Sequence, residues 1–386
     1  MFSQIIKVSL MNLSNIGSRK GVASVIVVGI GGVVTVLCAI LAMANGFQGA
    51  LLDAGAPDRV VLLREGSTGE MTSGISTQEF AIVESMDGVV AISGEVYTVA
   101  DIPKRSTGTP ANLIVRGVSP ASFDVRPEVQ IIEGRQLRQG LNEIIVGVKA
   151  RAEFANTNLN DEIEIRNAGW RVVGIFEADG SAYESEIWVD NVVAQSAFRR
   201  SGYSSGRIRL ESIDIIDEFK AKVEDDPRLQ LTIIREEDFL SDTAEALNTL
   251  IRSFAIVVAT IMAIGALFAA LNTMYIAVSV RTVEIATLRA IGFGITPVLF
   301  SVLLEAVVLA MIGGALGGLV TYVVFNGFTV STLNPGAFSQ IAFDFRVSAD
   351  ILLTGLVWAV VIGMFGGIFP AFRAAELPIT VALRGE

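Results

Sequence analysis

Histidine is missing from this sequence altogether, and cysteine occurs once. Without histidine there is no Ser-His-Asp or Cys-His catalytic set, and the commonest general base and metal ligand are both gone. The single thiol, Cys38, lies inside an apolar run, so no intrachain disulfide can form. A phosphate loop of the form G-x-x-x-x-G-K-[ST], an H-E-x-x-H pair and a C-x-x-C pair are all absent too. The expectation is a chain with no catalytic residue, no metal site and no cofactor of its own. Basic patches are also scarce. The formal net charge is −11, and every acid except Glu284, Glu305, Asp344, Asp350, Glu376 and Glu386 lies between Asp53 and Glu245. One acidic, water-soluble block without a basic patch excludes nucleic acid as a partner.

Apolar residues are plentiful, at 52% of 386, and they gather in four runs nearly free of charge. The runs cover residues 21–44, 253–280, 297–326 and 351–370. Each meets the roughly 20 residues that a helix needs to cross a bilayer. The first ends on Ala42-Met43-Ala44, which mimics a signal-peptidase site. A secretory apolar region is only about 7–15 residues long, so this run reads as a retained anchor. Basic residues set the orientation. Lys7, Arg19 and Lys20 precede the first run, Arg281 and Arg289 separate the second and third, and Arg373 and Arg384 follow the fourth. These segments belong on the cytoplasmic side. The 327–350 loop carries one arginine against two acids and fits the opposite side.

The fold class that follows is a membrane set of four α-helices with a large α+β extracytoplasmic domain, 45–252, between the first and second. Strands are expected at 60–63, 113–115, 143–146, 163–165, 170–173, 186–189 and 207–210, and helices at 77–86, 191–200 and 214–225. Residues 1–20 read as an amphipathic cytoplasmic helix on Phe2, Ile5, Ile6, Leu10, Leu13 and Ile16, lying against membrane lipid. Residues 281–296 and 371–386 form the cytoplasmic loop and tail.

The ends of the outer block carry a pattern of their own. Phe239, Leu247, Leu250 and Ile251 share one helical face, and Glu236, Glu237 and Asp238 sit where acids favour a helix start. The carboxylates read as a solvated helix start. This helix should run on into the second span. Phe47 and Leu51 extend the first span outward, so the two extensions make a stalk, or else two separate interfacial segments. Gly313, Gly314, Gly317 and Gly318 give two overlapping GxxxG pairs, and Gly363 with Gly367 a third. Such glycines allow close helix packing, within one chain or across a dimer. Glu305 is an acid inside the third run, and an intramembrane acid suggests a site or a bond to a neighbouring helix. Asn272 and Tyr275 are plausible partners for it. After the second span, Ile285, Leu288 and Ile291 recur at helical spacing among Arg281, Glu284 and Arg289, and Gly292 ends the run. This short amphipathic helix is either an interfacial element or a docking surface for a cytosolic protein.

These residues resemble the FtsX-like permease family. The likeness lies in Asn272-Thr273-Met274-Tyr275, in Arg281-x-x-Glu284-Ile285-Ala286-Thr287-Leu288-Arg289-Ala290-Ile291-Gly292, and in Gly366-Gly367-Ile368-Phe369-Pro370-Ala371-Phe372-Arg373 with Pro378 and Ala382-Leu383-Arg384. The outer block is similar to the MacB-type periplasmic core in Val115-Arg116-Gly117-Val118, Glu133-Gly134-Arg135, Asn142-Glu143-Ile144-Ile145-Val146-Gly147 and Val172-Val173-Gly174-Ile175-Phe176. It departs at Asn160, where a glycine is usual before Asp161. The resemblance spans essentially the whole chain. It implies a type VII ABC transporter permease with an outer domain of two lobes, called porter and sabre, in a bacterial inner membrane with both termini cytoplasmic. It implies a separate ABC ATPase subunit that holds ATP and Mg and docks on 281–292, with Arg281, Glu284, Ile285, Leu288 and Arg289 as coupling residues. It further implies a second permease copy in a homodimer, a periplasmic adaptor of the membrane fusion type, an outer-membrane channel, and export driven by motion transmitted through Phe47, Leu51, Phe239, Leu247, Leu250 and Ile251. The alternative within the resemblance is an FtsX-like signalling subunit that controls a periplasmic partner.

Overall fold

The computed structural model describes residues 20–334 and 339–376. The N-terminal amphipathic helix, apart from Lys20, and the 378–384 motif lie outside the described residues, as do Lys7, Arg19 and Arg384. In chain order, α1 (Lys20–Leu52) leads to β1 (Arg59–Arg64), α2 (Thr77–Glu84), β2 (Val89–Pro103) and β3 (Pro110–Val118). Next come α3 (Ser122–Val125), β4 (Gln130–Gly134), β5 (Glu143–Gly147), α4 (Val148–Glu153), β6 (Glu162–Ile165) and β7 (Ala168–Glu177). After these are β8 (Glu186–Asp190), α5 (Asn191–Ala197), β9 (Ser205–Leu210), α6 (Ile216–Glu224) and β10 (Leu231–Arg235). The chain then runs through α7 (Glu236–Val280), α8 (Thr282–Ala290), α9 (Ile295–Phe325), β11 (Thr329–Asn334), β12 (Ser339–Asp344) and α10 (Ala349–Glu376).

Two compact units divide this chain. One takes Met1–Asn45, Leu250–Phe328 and Phe345–Glu386, and the other Gly46–Thr249 with Thr329–Asp344. The segment expected as a plain loop over 327–350 therefore supplies an antiparallel hairpin to the outer unit. Its register pairs Thr329 with Asp344 and Thr332 with Ile341.

Among the described residues four helices, α1, α7, α9 and α10, are long and apolar enough to cross a membrane. A helix suits lipid because it satisfies its own backbone groups. The glycine pairs pack these helices inside one chain. A methyl added at Gly317 would meet the Gly31 carbonyl of α1, and one at Gly313 would lie 2.7 Å from the Val27 carbonyl. Gly314 faces Ala359 of α10, and Gly363 and Gly367 face Ala310 and Ala306 of α9. Lipid is as apolar as leucine, so close backbone approach and not hydrophobic burial selects these neighbours. One helix runs unbroken from Glu236 to Val280. Its buried line is Leu240, Ala244, Asn248, Ile251, Ala255, Ala259, Ala266 and Ala270, mostly small residues at helical spacing.

The outer unit is built on a ten-stranded sheet of order β10-β1-β9-β2-β3-β8-β5-β7-β4, with β6 on β7. β2, absent from the expected strands, holds the sheet together. Its first half pairs with β9 and its second half with β3. Its two largest hydrophobic cores lie on different parts of the sheet. One gathers Val60, Leu62, Phe80, Ile208 and Phe219 around β1 and β9. The other gathers Val115, Ile144, Phe154, Trp170 and Ile187 around β3, β5 and β7. Asn160, standing where the family has glycine, takes a φ of 70°. Asparagine tolerates this left-handed conformation better than most residues, so the turn survives the exchange.

Gly317→Val should lower the thermal unfolding midpoint of the purified protein, since overpacking a close contact costs about 1–3 kcal/mol. Gly265→Ala, where an added methyl meets nothing within 4 Å, should leave the midpoint unchanged or raise it. An equal response from both would contradict glycine-dependent packing of α1 on α9.

Candidate functional site

Among the described residues the membrane unit holds one buried ion pair. Arg281, which precedes α8, donates to Glu305 of α9 from two nitrogens at 2.6 and 3.1 Å. Both side chains are buried. Glu305 is thus satisfied by Arg281 and not by Asn272 or Tyr275. Asn272 is exposed on α7, and the Tyr275 ring lies under the Arg373 guanidinium at 5.5 Å. The two-pronged geometry suits a guanidinium and fixes the start of α8 against α9. Ile285 and Ala286 turn inward and are buried, while Leu288 and Arg289 are half-buried. Glu284 is exposed, together with Val283 and Ile291. The five residues expected to couple therefore divide. Arg281 and Ile285 hold the helix, and Glu284 lies on its open side with Val283 and Ile291, two positions that are not among the expected coupling residues.

The stalk residues divide as well. Phe47 is fully buried and packs edge-on against Phe343 of β12 at 5.5 Å. Leu51, Phe239 and Leu240 line one cavity of about 170 Å³. Leu247 is half-buried and Ile251 buried. Leu250 is 65% exposed and does not join the intrachain seam. The reason is the alanine row of α7: small residues take the close contacts, and the large ones face outward. Gln48 of α1 and Asn248 of α7 add a hydrogen bond of 3.0 Å.

The main feature, at the root of the stalk, is one that sequence periodicity does not reveal. Glu236, expected as a solvated helix start, is completely buried. Its carboxylate lies 2.5 Å from Arg59 Nε and 3.3 Å from Arg207. It accepts from the Ala56 N–H at 3.2 Å and from the Tyr183 hydroxyl at 3.4 Å. Arg59 opens β1 just after α1, and Glu236 opens α7. One ion pair thus joins the start of β1 to the start of α7. From there the charges run across the sheet. Arg207 of β9 reaches Glu70 at 3.1 Å, and Glu70 reaches Arg116 of β3 at 2.9 Å. Arg116 grips Glu95 of β2 at 2.7 Å and Glu186 of β8 through two nitrogens at 2.7 and 2.8 Å. Glu95 also takes Arg126 at 2.6 Å. The Arg116 and Arg126 guanidiniums stand over Tyr97 and Tyr183 at 4.8 and 4.6 Å. Glu128 adds a rim contact to Arg59 at 2.6 Å.

Four buried arginines thus meet four buried glutamates. Burial alone would raise the Glu70 carboxyl, but Arg116 and Arg207 outweigh it and hold it well below the usual carboxylate range. For Glu95 burial likewise pushes up, and Arg126 and Arg116 pull it below its ordinary value. Carboxylates held ionised in this way cannot act as general acids near neutrality. The arrangement is suited to tying elements together, not to proton chemistry. Glu95 and Arg116 each stand inside a largely apolar strand run, which marks a buried charge but not its partner.

A four-span membrane chain, a glycine-packed helix set and an outer sheet domain rooted on two long helices define a permease architecture. The profile of the MacB-like periplasmic core domain matches residues 22–226, more than half of the chain. That of the FtsX-like permease C-terminal region matches residues 256–379. The chain belongs to the FtsX/MacB-type ABC transporter permeases. It is similar to the macrolide export ATP-binding/permease protein MacB of Bdellovibrio bacteriovorus, with 25% identity over 78% of this chain and 50% of that protein. It is also similar to the uncharacterized ABC transporter permease YvrN of Bacillus subtilis, with 27% identity over 70% of each. The solved periplasmic region of MacB from Actinobacillus actinomycetemcomitans aligns at 14% identity and a TM-score of 0.39, over 50% of this chain and 94% of that one. The chain spans about half the length of the MacB relatives it matches.

The buried charges make two outcomes measurable. Arg281→Met or Glu305→Leu alone leaves one charge unpaired and should cost about 3–5 kcal/mol, whereas the double substitution should recover most of that loss. Additive losses in a thermal unfolding cycle would contradict the pairing. For the outer unit, the folded pKa values of Glu70 and Glu95 are depressed. Their stabilisation is complete above the ordinary carboxylate value of 4.5 and is lost as pH falls through the lowered folded values. Stability read from the buried Trp170 and Trp188 should therefore start to drop only near that pH. A loss beginning above pH ~6 would contradict it.

Proposed function

We propose that this chain is the non-catalytic membrane subunit of an ABC transporter, and that a separate ATPase subunit, loaded with ATP and Mg, drives motion of its outer domain. The single observation that carries this reading is α8. A short helix between two membrane helices is pinned by a buried, two-pronged ion pair and keeps Glu284, Val283 and Ile291 exposed. Force applied to such a helix passes to α9 instead of bending a loop. The 386 residues carry no phosphate loop, so hydrolysis belongs outside them. In this reading α8 and both termini face the cytoplasm, and the outer unit faces the periplasm.

A second copy completes the machine. Leu250, Phe254, Val257, Ile261, Ile264 and Phe268 are exposed along α7 at alternating steps of four and three. This heptad-like stripe matches the seam of paired helices. The work done is export from the periplasm or the outer leaflet, and relatives named for macrolide export support that class. A periplasmic adaptor and an outer-membrane channel would carry the substrate onward.

The docking part is tested by Val283→Asp combined with Ile291→Asp. Copurified ATPase should fall by about tenfold while the unfolding midpoint stays put, since such losses are typical of contact residues at an interface centre. Full retention of a coupled ATPase would move the docking surface elsewhere.

A further inference from the structure

Between α9 and α10 the chain makes the β11–β12 hairpin, and this hairpin is fastened to the rest of the outer unit at two stations, with a longer ionic contact beside them. Phe343 is fully buried with its ring edge-on to Phe47. The Ser185 hydroxyl accepts from the Ala342 N–H at 2.9 Å and donates to the Ala342 carbonyl at 3.2 Å, so one buried side chain closes both backbone groups of one hairpin residue. Lys149 of α4 lies 3.8 Å from the Asp344 carboxylate while donating to the Gly180 carbonyl at 2.8 Å. Gly46 makes the fit possible. A methyl there would run into the Asp344 carbonyl and come within 3.2 Å of the Phe343 ring. Ser185 is followed directly by Glu186, which holds Arg116 through two bonds. The hairpin therefore fastens one residue away from the buried charge cluster.

We propose that this hairpin is a second handle through which α9 and α10 drive the outer domain, with Gly46 and Ser185 as the residues that seat it. The inference rests on the coupling function proposed above. A body held only by two adjoining helices can swivel about them, and a third hold removes that freedom. Because α8 is pinned to α9 by Arg281 and Glu305, a push on α8 has a route along α9 to the hairpin and on to Ser185. That route bypasses the root of α7.

The test uses the full chain with its copurified ATPase in lipid nanodiscs. Cys38→Ser removes the native thiol, and Val192→Cys, an exposed position on α5, carries a spin label. The distance between the labels of two copies is read with and without ATP. Gly46→Leu wedges the hairpin away, and Ser185→Ala removes its two bonds without adding bulk. Each should speed amide exchange at Ala342 and Phe343 by about tenfold, the signature of local opening. Each should also shrink the ATP-dependent distance change by about half or more, with ATP hydrolysis unchanged. A full distance change despite faster exchange would overturn the handle, as would exchange that neither substitution alters. A parent protein with no ATP-dependent change would sink the coupling function itself, and the handle with it.

Discussion

The contact on which the outer unit depends is the buried pair between Arg59 and Glu236. Two charges taken out of water are costly unless each is fully met, and a lone buried charge costs more than the pair returns. Glu236 solves this with two guanidiniums, one hydroxyl and one backbone N–H. Arg59 meets Glu236 and Glu128 as ion pairs and donates to the carbonyls of Ala54 and Val125, while its Nε faces Glu236 without hydrogen-bond geometry. Neither residue can move alone without leaving a charge bare. The ends of α1 and α7 are therefore fixed to β1, and through Arg207, Glu70 and Arg116 to the middle of the sheet. A hydrophobic root would hold as firmly but would tolerate sliding. An ionic one has a single low-energy register.

The membrane helices obey a different constraint. Lipid gives no reward for burying leucine against leucine, so glycine and alanine decide which faces meet. Gly31 meets Gly317, Gly314 meets Ala359, and Gly363 meets Ala310. The large residues of α7 are left outward for lipid or for a second copy. The same logic reaches into the hairpin, where Gly46 admits the backbone of β12. Close approach and buried charge thus divide the work between the two units.

Much of this is legible in the sequence, for identifiable reasons. The four spans are visible because an apolar run of bilayer length, nearly free of charge, has few uses outside a membrane. The short helix after α7 shows through its periodicity and through Gly292. Seven of the strands show as apolar or alternating runs. β2 does not, because Ser93, Gly94 and Glu95 break its apolar pattern just where it passes from β9 to β3. The hairpin looks like a loop because its register is settled by contacts far away in sequence, at Phe47 and Ser185. Helical spacing puts Leu250 on the stalk face with Leu247 and Ile251, but within the chain it is exposed, because alanines take the close contacts of α7. Glu236 looks solvated because its partners, Arg59 and Arg207, are remote in the chain. Local patterns predict elements well, and long-range electrostatics not at all.

In the proposed function, nucleotide-driven change reaches the outer unit through discrete joints. Hydrogen exchange on the full chain with its ATPase, compared with and without trapped ATP, tests it directly. The expected result is altered protection at Ala56, whose N–H bonds to Glu236, and at Ala342, while the buried strands β5 and β7 keep theirs. Protection that is unchanged throughout the outer unit, or shifted evenly across its sheet, would contradict transmission through these joints.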